Sequence, residues 1–162
     1  MTKQRLLHQP RPVLYDSGIM SRVLDDFFDA SLEEFALAHE DIITKRAVFI
    51  SQTVLFELQP VLRVLKNRYP AQALRIEQVV RDFKIIDLDA QIGARAIAIK
   101  RGVEKRKFAD ATIAATALVY ELDLFTMNEG DFNAIPGLKL YKPRNYQKLL
   151  ARLGTGKTRN LP

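Results

Sequence analysis

Short, unbroken apolar runs alternate along this chain with longer stretches in which apolar residues return every three or four positions. Val13-Leu14-Tyr15 stops abruptly at Asp16-Ser17-Gly18, the form of a short buried strand that delivers an acid to its carboxyl end. Ala47-Val48-Phe49-Ile50-Ser51, Phe83-Lys84-Ile85-Ile86-Asp87-Leu88 and Leu124-Phe125-Thr126 have the same form, and Leu138-Lys139-Leu140-Tyr141 supplies a fifth strand. Between Ile19 and Ile43, the residues Val23, Leu24, Phe27, Phe28, Leu32, Phe35 and Leu37 fall at helical intervals and predict one or two amphipathic helices. Leu55, Leu58, Val61, Leu62 and Leu65 mark one face of a helix that begins near Thr53, with Pro60 in its first turns or at a kink, and a further helix follows Pro70 as far as Val80. Asp89 is placed to cap a helix running to Arg101, with Gly102 as its stop. The Ala-rich segment Ala111 to Leu122 opens at Asp110, and residues 144 to 153 suit a last helix.

This order of elements predicts an α/β fold: a three-layer α/β/α sandwich with a mainly parallel sheet of four to five strands covered by helices on both faces. Ligands of such sheets gather outside the carboxyl ends of the strands, where Asp16 and Asn128 would both project. One folded unit is expected over residues 13–153, flanked by flexible tails over 1–12 and 154–162. With 162 residues, 48% of them hydrophobic, the chain is long enough to bury one sizeable core. It has no cysteine, which excludes disulfides, thiolate metal sites and cysteine nucleophiles and suits a reducing compartment. No apolar run approaches the length of a membrane span and the first dozen residues lack a signal-peptide core, so a cytoplasmic location and no membrane partner are expected.

Charge changes the picture more by its distribution than by its formal sum of +6. Residues 1–41 hold eight acids against four Lys or Arg, whereas no acid follows Asp131 and Lys139, Lys142, Arg144, Lys148, Arg152, Lys157 and Arg159 do. A second basic cluster runs through Arg95, Lys100, Arg101, Lys105, Arg106 and Lys107. Clustered cations suit a polyanionic partner, although from charge alone a solvated helix face with a disordered tail is the simpler reading.

Most of the acids stand in polar, helix-surface contexts such as Asp25-Asp26, Glu33-Glu34 and Glu40-Asp41. Asp16 after Val-Leu-Tyr, Glu57 between Phe56 and Leu58, and Asp110 within Phe-Ala-Asp-Ala do not, and all three are expected near the core. Taken singly, Asp110 reads as a helix N-cap, Asp16 as a turn-ordering residue and Glu57 as a first-turn capping contact to Thr53. Taken together they read differently: carboxylates gathered in one crevice repel one another, and a hard divalent cation with oxygen ligands relieves that repulsion.

Asp16-Ser17 after a hydrophobic strand, Val54-Leu55-Phe56-Glu57-Leu58 in the next helix, Asp110-Ala111-Thr112-Ile113-Ala114-Ala115-Thr116-Ala117, and then Leu124-Phe125-Thr126-Met127-Asn128 with Asp131-Phe132 together resemble the PIN-domain family over about residues 13–143, and within it the VapC-like bacterial toxins. The resemblance implies a PIN-like fold and a ribonuclease that binds Mg²⁺ (or Mn²⁺) through Asp16, Glu57 and Asp110. It adds Asn128 to the catalytic group and gives supporting places to Ser17, Thr126 and Asp131. Gly18 and Met127 depart from the polar and basic residues frequent in relatives at those positions. Lys105, Arg106 and Lys107, with the cations between 139 and 152, are candidates to hold the RNA backbone, which supplies affinity without sequence choice. The resemblance also implies a small antitoxin as partner and a homodimer. A non-catalytic interaction module and a DNA-directed nuclease are the competing readings. Gly154-Thr155-Gly156-Lys157-Thr158 lacks the first glycine and the following helix of a phosphate-binding loop, and His8 and His39 lack metal-ligand spacing.

Overall fold

A computed structural model describes residues 10–29, 33–101, 103 and 105–155. The expectations for Leu32, for Gly102 as a helix stop, and for the tails at 1–9 and 156–162 lie outside the described residues. Strand β1 (Val13–Tyr15) is buried on both faces, as an unbroken apolar run requires. After it come α1 (Ser17–Phe28) and α2 (Glu34–Ile43), which resolve the predicted one or two helices as two. They bury Ile19, Met20, Val23, Leu24 and Phe28, then Phe35, Ala38 and Ile42, while Leu37 turns outward. Strand β2 (Val48–Ser51) leads directly into α3 (Gln52–Glu57), α4 (Gln59–Arg68), a 3-10 turn at Pro70–Gln72 and α5 (Ala73–Arg81). Strand β3 (Lys84–Ile86), α6 (Ala90–Lys100), α7 (Phe108–Val119), β4 (Asp123–Phe125), the single turn α8 (Glu129–Phe132) and α9 (Tyr146–Thr155) complete the described chain.

Among the described residues the sheet has four strands in the order β3-β2-β1-β4, all parallel, with Tyr15 level with Ile50 on one side and Phe125 on the other. The chain therefore steps outward from β1 to β2 to β3 and then returns to the far side of β1. With right-handed crossovers, that reversal puts the helices on both faces and opens a crevice between the carboxyl ends of β1 and β4. The expected fifth strand shrinks to a single parallel bridge between Leu124 and Leu140. Leu124 N donates to Lys139 O (2.8 Å) and Tyr141 N to Leu124 O (2.7 Å). Pairing stops there because a turn with Gly137 at φ +80 precedes it and Pro143, which has no N–H to give, follows.

Pro60 decides a second local feature. The helix expected from Thr53 onward is broken at Leu58, and Pro60 sits in the first turn of α4, where its missing N–H costs nothing. Glu57 is thereby left as the last residue of a short helix. Asp89 caps α6 as expected, accepting from Ile92 N at 2.8 Å.

Asp26, read from sequence as a surface acid, is instead 3% exposed. Its carboxylate accepts from Phe35 N (2.7 Å) at the start of α2 and forms a two-pronged ion pair with Arg152 of α9. Glu34 stands 3.6 Å from the same guanidinium. The charge is affordable in the core because every oxygen has a donor, and the partner lies too far along the chain to be read from local pattern. Removing one partner strands the other. Asp26→Ala is therefore expected to lower stability by about 3–5 kcal/mol in urea denaturation, and the double variant Asp26→Leu/Arg152→Met to recover much of that loss.

Candidate active site

Asp16 follows β1 immediately and is 7% exposed. It serves as the N-cap of α1, its Oδ1 accepting from Ile19 N at 2.8 Å, and its own N–H donates to Phe125 O across the sheet (3.2 Å). The turn-ordering role foreseen for Asp16 is thus real, and it leaves the carboxylate at the crevice between β1 and β4. Thr126, buried at the end of β4, accepts from Asn128 N at 3.0 Å and hydrogen-bonds the Asp16 carboxylate. Burial pushes the Asp16 carboxyl up to about 6; the bonds from Thr126 and Ile19 oppose the shift, and the negative charges of Asp110 and Glu57 add to it.

Asp110 lies in the first turn of α7, not at its cap: Lys107 occupies that place and makes no side-chain capping bond. An acid there faces the positive end of the helix dipole. The Asp110 carboxyl is nevertheless held above its ordinary value, first by burial, then by Asp131 and Glu57, while Lys107 and Arg106 pull it down. Glu57 is exposed at the end of α3, against the expectation that it lies near the core and makes a first-turn capping contact. The break at Leu58 puts it on the rim. Helices α3 and α7 are joined where Thr53 Oγ1 meets Thr112 Oγ1 at 3.0 Å; Thr112 donates to Ala109 O, so Thr53 is the donor between the two hydroxyls. Asp16, Glu57 and Asp110, from three separate segments, thus act on one another as charges at one end of the sheet.

Asn128 is exposed, and its amide donates to the carboxylate of Asp131. Asp131 in turn is the charge that acts most strongly on Asp110. Asp131, expected only in a supporting place, therefore stands with the acids. Ser17 is the first residue of α1, half-buried, and its carbonyl accepts from Ser21 Oγ at 2.8 Å.

Among the proposed backbone-binding cations, Lys105 and Lys107 are exposed, while Arg106 is half-buried and its guanidinium donates to Ile99 O at 3.3 Å. The cluster expected over 139–152 is largely committed elsewhere: Arg152 to Asp26, Lys142 to Glu129 (3.0 Å) and Lys148 to Glu34 (3.9 Å). The cations that act on Asp110 are Lys107 and Arg106.

The acids offer hard oxygen donors only, and Asp16 carries a buried charge that its acidic neighbours make worse, so a divalent cation fits what the site lacks. Among the described residues, no three acid or histidine side chains stand close enough to hold an ion as placed. The carboxylates meet as interacting charges, not as a preformed cage. Among the same residues, no helix is long and apolar enough to cross a membrane.

The family model described as PIN domain matches residues 13–138. Among solved structures, a toxin-antitoxin complex from Klebsiella pneumoniae is 30% identical, with a TM-score of 0.59, over 78% of this chain and 94% of that one. VapBC2 from Rickettsia felis, bound to a DNA fragment from its promoter, is 22% identical with a TM-score of 0.63, over 80% of this chain and 96% of that one. FitAB bound to a DNA fragment is likewise 22% identical, with a TM-score of 0.65, over 80% and 93%. No curated protein matches the chain. The chain belongs to the PIN-domain family, a family of nucleases, and is VapC-like in kind.

Proposed function

We propose that the protein is a metal-dependent endoribonuclease, the toxin of a toxin–antitoxin pair, that hydrolyses phosphodiester bonds of RNA in the cytoplasm. The observation that carries this reading is the mutual interaction of Asp16, Glu57 and Asp110 at the carboxyl end of the central strand. Asp16, Glu57 and Asp110 would hold Mg²⁺ or Mn²⁺. A divalent ion in such a site activates water and stabilises charge on the phosphoryl oxygens. The chain's own residues supply the rest. Thr126 and Ile19 fix the Asp16 carboxylate so that one oxygen is spoken for and its direction is set. Asn128 orients Asp131, adding a further acid beside Asp110 and completing the catalytic group. Lys105, Arg106 and Lys107 draw the RNA backbone toward α7. The Klebsiella relative, described as a toxin-antitoxin complex, supports a small antitoxin as partner, and we extend the proposal to a homodimer.

Asp16→Asn keeps a side-chain oxygen for the α1 cap but loses the charge. RNA cleavage with Mg²⁺ is expected to fall by about a hundredfold or more, with matched RNA and DNA strands as substrates; full activity in the purified variant, or equal cleavage of DNA, would count against the reading. The same substitution removes a charge that the metal-free fold tolerates poorly. A carboxyl raised to about 6 favours the folded state below the ordinary carboxylate range and loses that advantage as pH climbs through 6. At pH 7 without metal, Asp16→Asn is therefore expected to be as stable as the parent or up to about 2–3 kcal/mol more so, a comparison that thermal melting reads directly. Mn²⁺ binding by calorimetry is expected to tighten between pH 5 and 7 and to release protons; affinity independent of pH would contradict an Asp16 ligand.

A further inference from the structure

Two large aromatic side chains lie open to solvent beside the acids. Phe56 is 62% exposed and immediately precedes Glu57; Phe108 is 50% exposed and stands two residues before Asp110. Neither ring meets another aromatic ring among the described residues. Their placement follows from the helix pair. Thr53 and Thr112 touch at 3.0 Å; Phe56 is one turn after Thr53 in α3 and Phe108 one turn before Thr112 in α7. The interaction of Glu57 with Asp110 sets the end of α3 beside the beginning of α7, so the two rings flank one acidic rim from opposite helices. Lys105, Arg106 and Lys107 lead directly into Phe108, and Arg106 and Lys107 are close enough to act on Asp110.

We infer that Phe56 and Phe108 are stacking platforms for unpaired bases of the bound strand. Cations that match a phosphate backbone, rings that match base faces and acids that would hold the reacting phosphate occur together at this rim. Only a strand whose bases can splay out engages all three; a duplex keeps its base faces covered. The inference rests on the nuclease reading for the choice of substrate, but its test does not depend on cleavage.

The full chain is titrated in EDTA, which prevents hydrolysis, with a short single-stranded RNA carrying 2-aminopurine, the same strand with abasic sites, and the matched duplex. The single strand is expected to bind tightest, with fluorescence quenched on stacking. Phe56→Ala and Phe108→Ala are each expected to weaken it about five- to a hundredfold, to relieve part of the quenching and to leave the abasic strand's weaker binding unchanged, while Phe108→Tyr retains both affinity and quenching. Equal affinity for the base-containing and abasic strands would overturn the inference. So would alanine variants that bind the single strand like the parent, including variants whose only change is lost self-association or lost binding of a protein partner. Stacking that survives while Mg²⁺ or Mn²⁺ produces no cleavage would leave the platform standing and defeat the nuclease reading instead.

Discussion

The carboxylate of Asp16 is under two demands that pull against each other. It must accept the N–H of Ile19 to start α1 where β1 ends, and in doing so it is held, almost fully buried, within reach of the charges of Asp110 and Glu57. Local folding thus forces an electrostatic cost that none of the described groups acting on Asp16 removes: Thr126 and Ile19 reduce it by hydrogen bonding, but neither carries a positive charge. A parallel sheet whose chain reverses direction beside β1 concentrates this cost at one crevice, since Asp16 and Thr126 leave adjacent strands at the same level. The rest of the site is arranged around that unrelieved charge.

Two breaks in regular structure aim the other acids. Pro60 begins a new helix and so ends α3 at Glu57, which turns a residue expected in the core into one on the rim. Lys107 takes the cap position of α7, so Asp110 falls inside the first turn, where it adds to the acidic group without being consumed by a capping bond. Neither acid would face Asp16 if α3 and α7 were not held together, and the Thr53–Thr112 hydroxyl contact is a link between polar groups that leaves the surrounding apolar packing of Val54 and Ala111 intact. An acidic rim repels a polyanion on its own. Lys107 and Arg106, immediately upstream of α7, act against the negative charge at Asp110 without cancelling the rise of its carboxyl.

Much of this was legible before any coordinates. Four of five strands were visible as unbroken apolar runs because parallel strands are buried on both faces and lose the alternation that marks a surface sheet. The fifth failed because its apolar pattern is real but its backbone is hemmed between the Gly137 turn and Pro143. Asp16 was readable because an acid directly after a buried strand has few structural excuses. Glu57 was misplaced in the core, since apolar neighbours in a helix do not place a residue on their own face. The burial of Asp26 and the role of Asn128 in holding Asp131 were not readable at all: the first depends on Arg152, far along the chain, and the second on a side-chain bond that many Asn–Asp spacings do not form.

Two groups at the carboxyl end of β1 carry opposite titration behaviour. Tyr15, the residue before Asp16, shares a hydrogen bond between its hydroxyl and His39 Nδ1 (3.0 Å), and His39, stacked on Phe83, has its pKa lowered by burial to about 4. A histidine lowered in this way supports the fold above its ordinary pKa of about 6.5 and withdraws that support as pH falls toward 4. Asp16 does the reverse over nearly the same interval, favouring the metal-free fold as pH falls and ceasing to do so as pH rises through about 6. Each contribution is on the order of 3 kcal/mol, so across mildly acidic pH they largely offset one another. The Tyr15–His39 pair and the Asp16 carboxylate, neighbours at the end of one strand, thus pull the pH dependence of the metal-free fold in opposite directions.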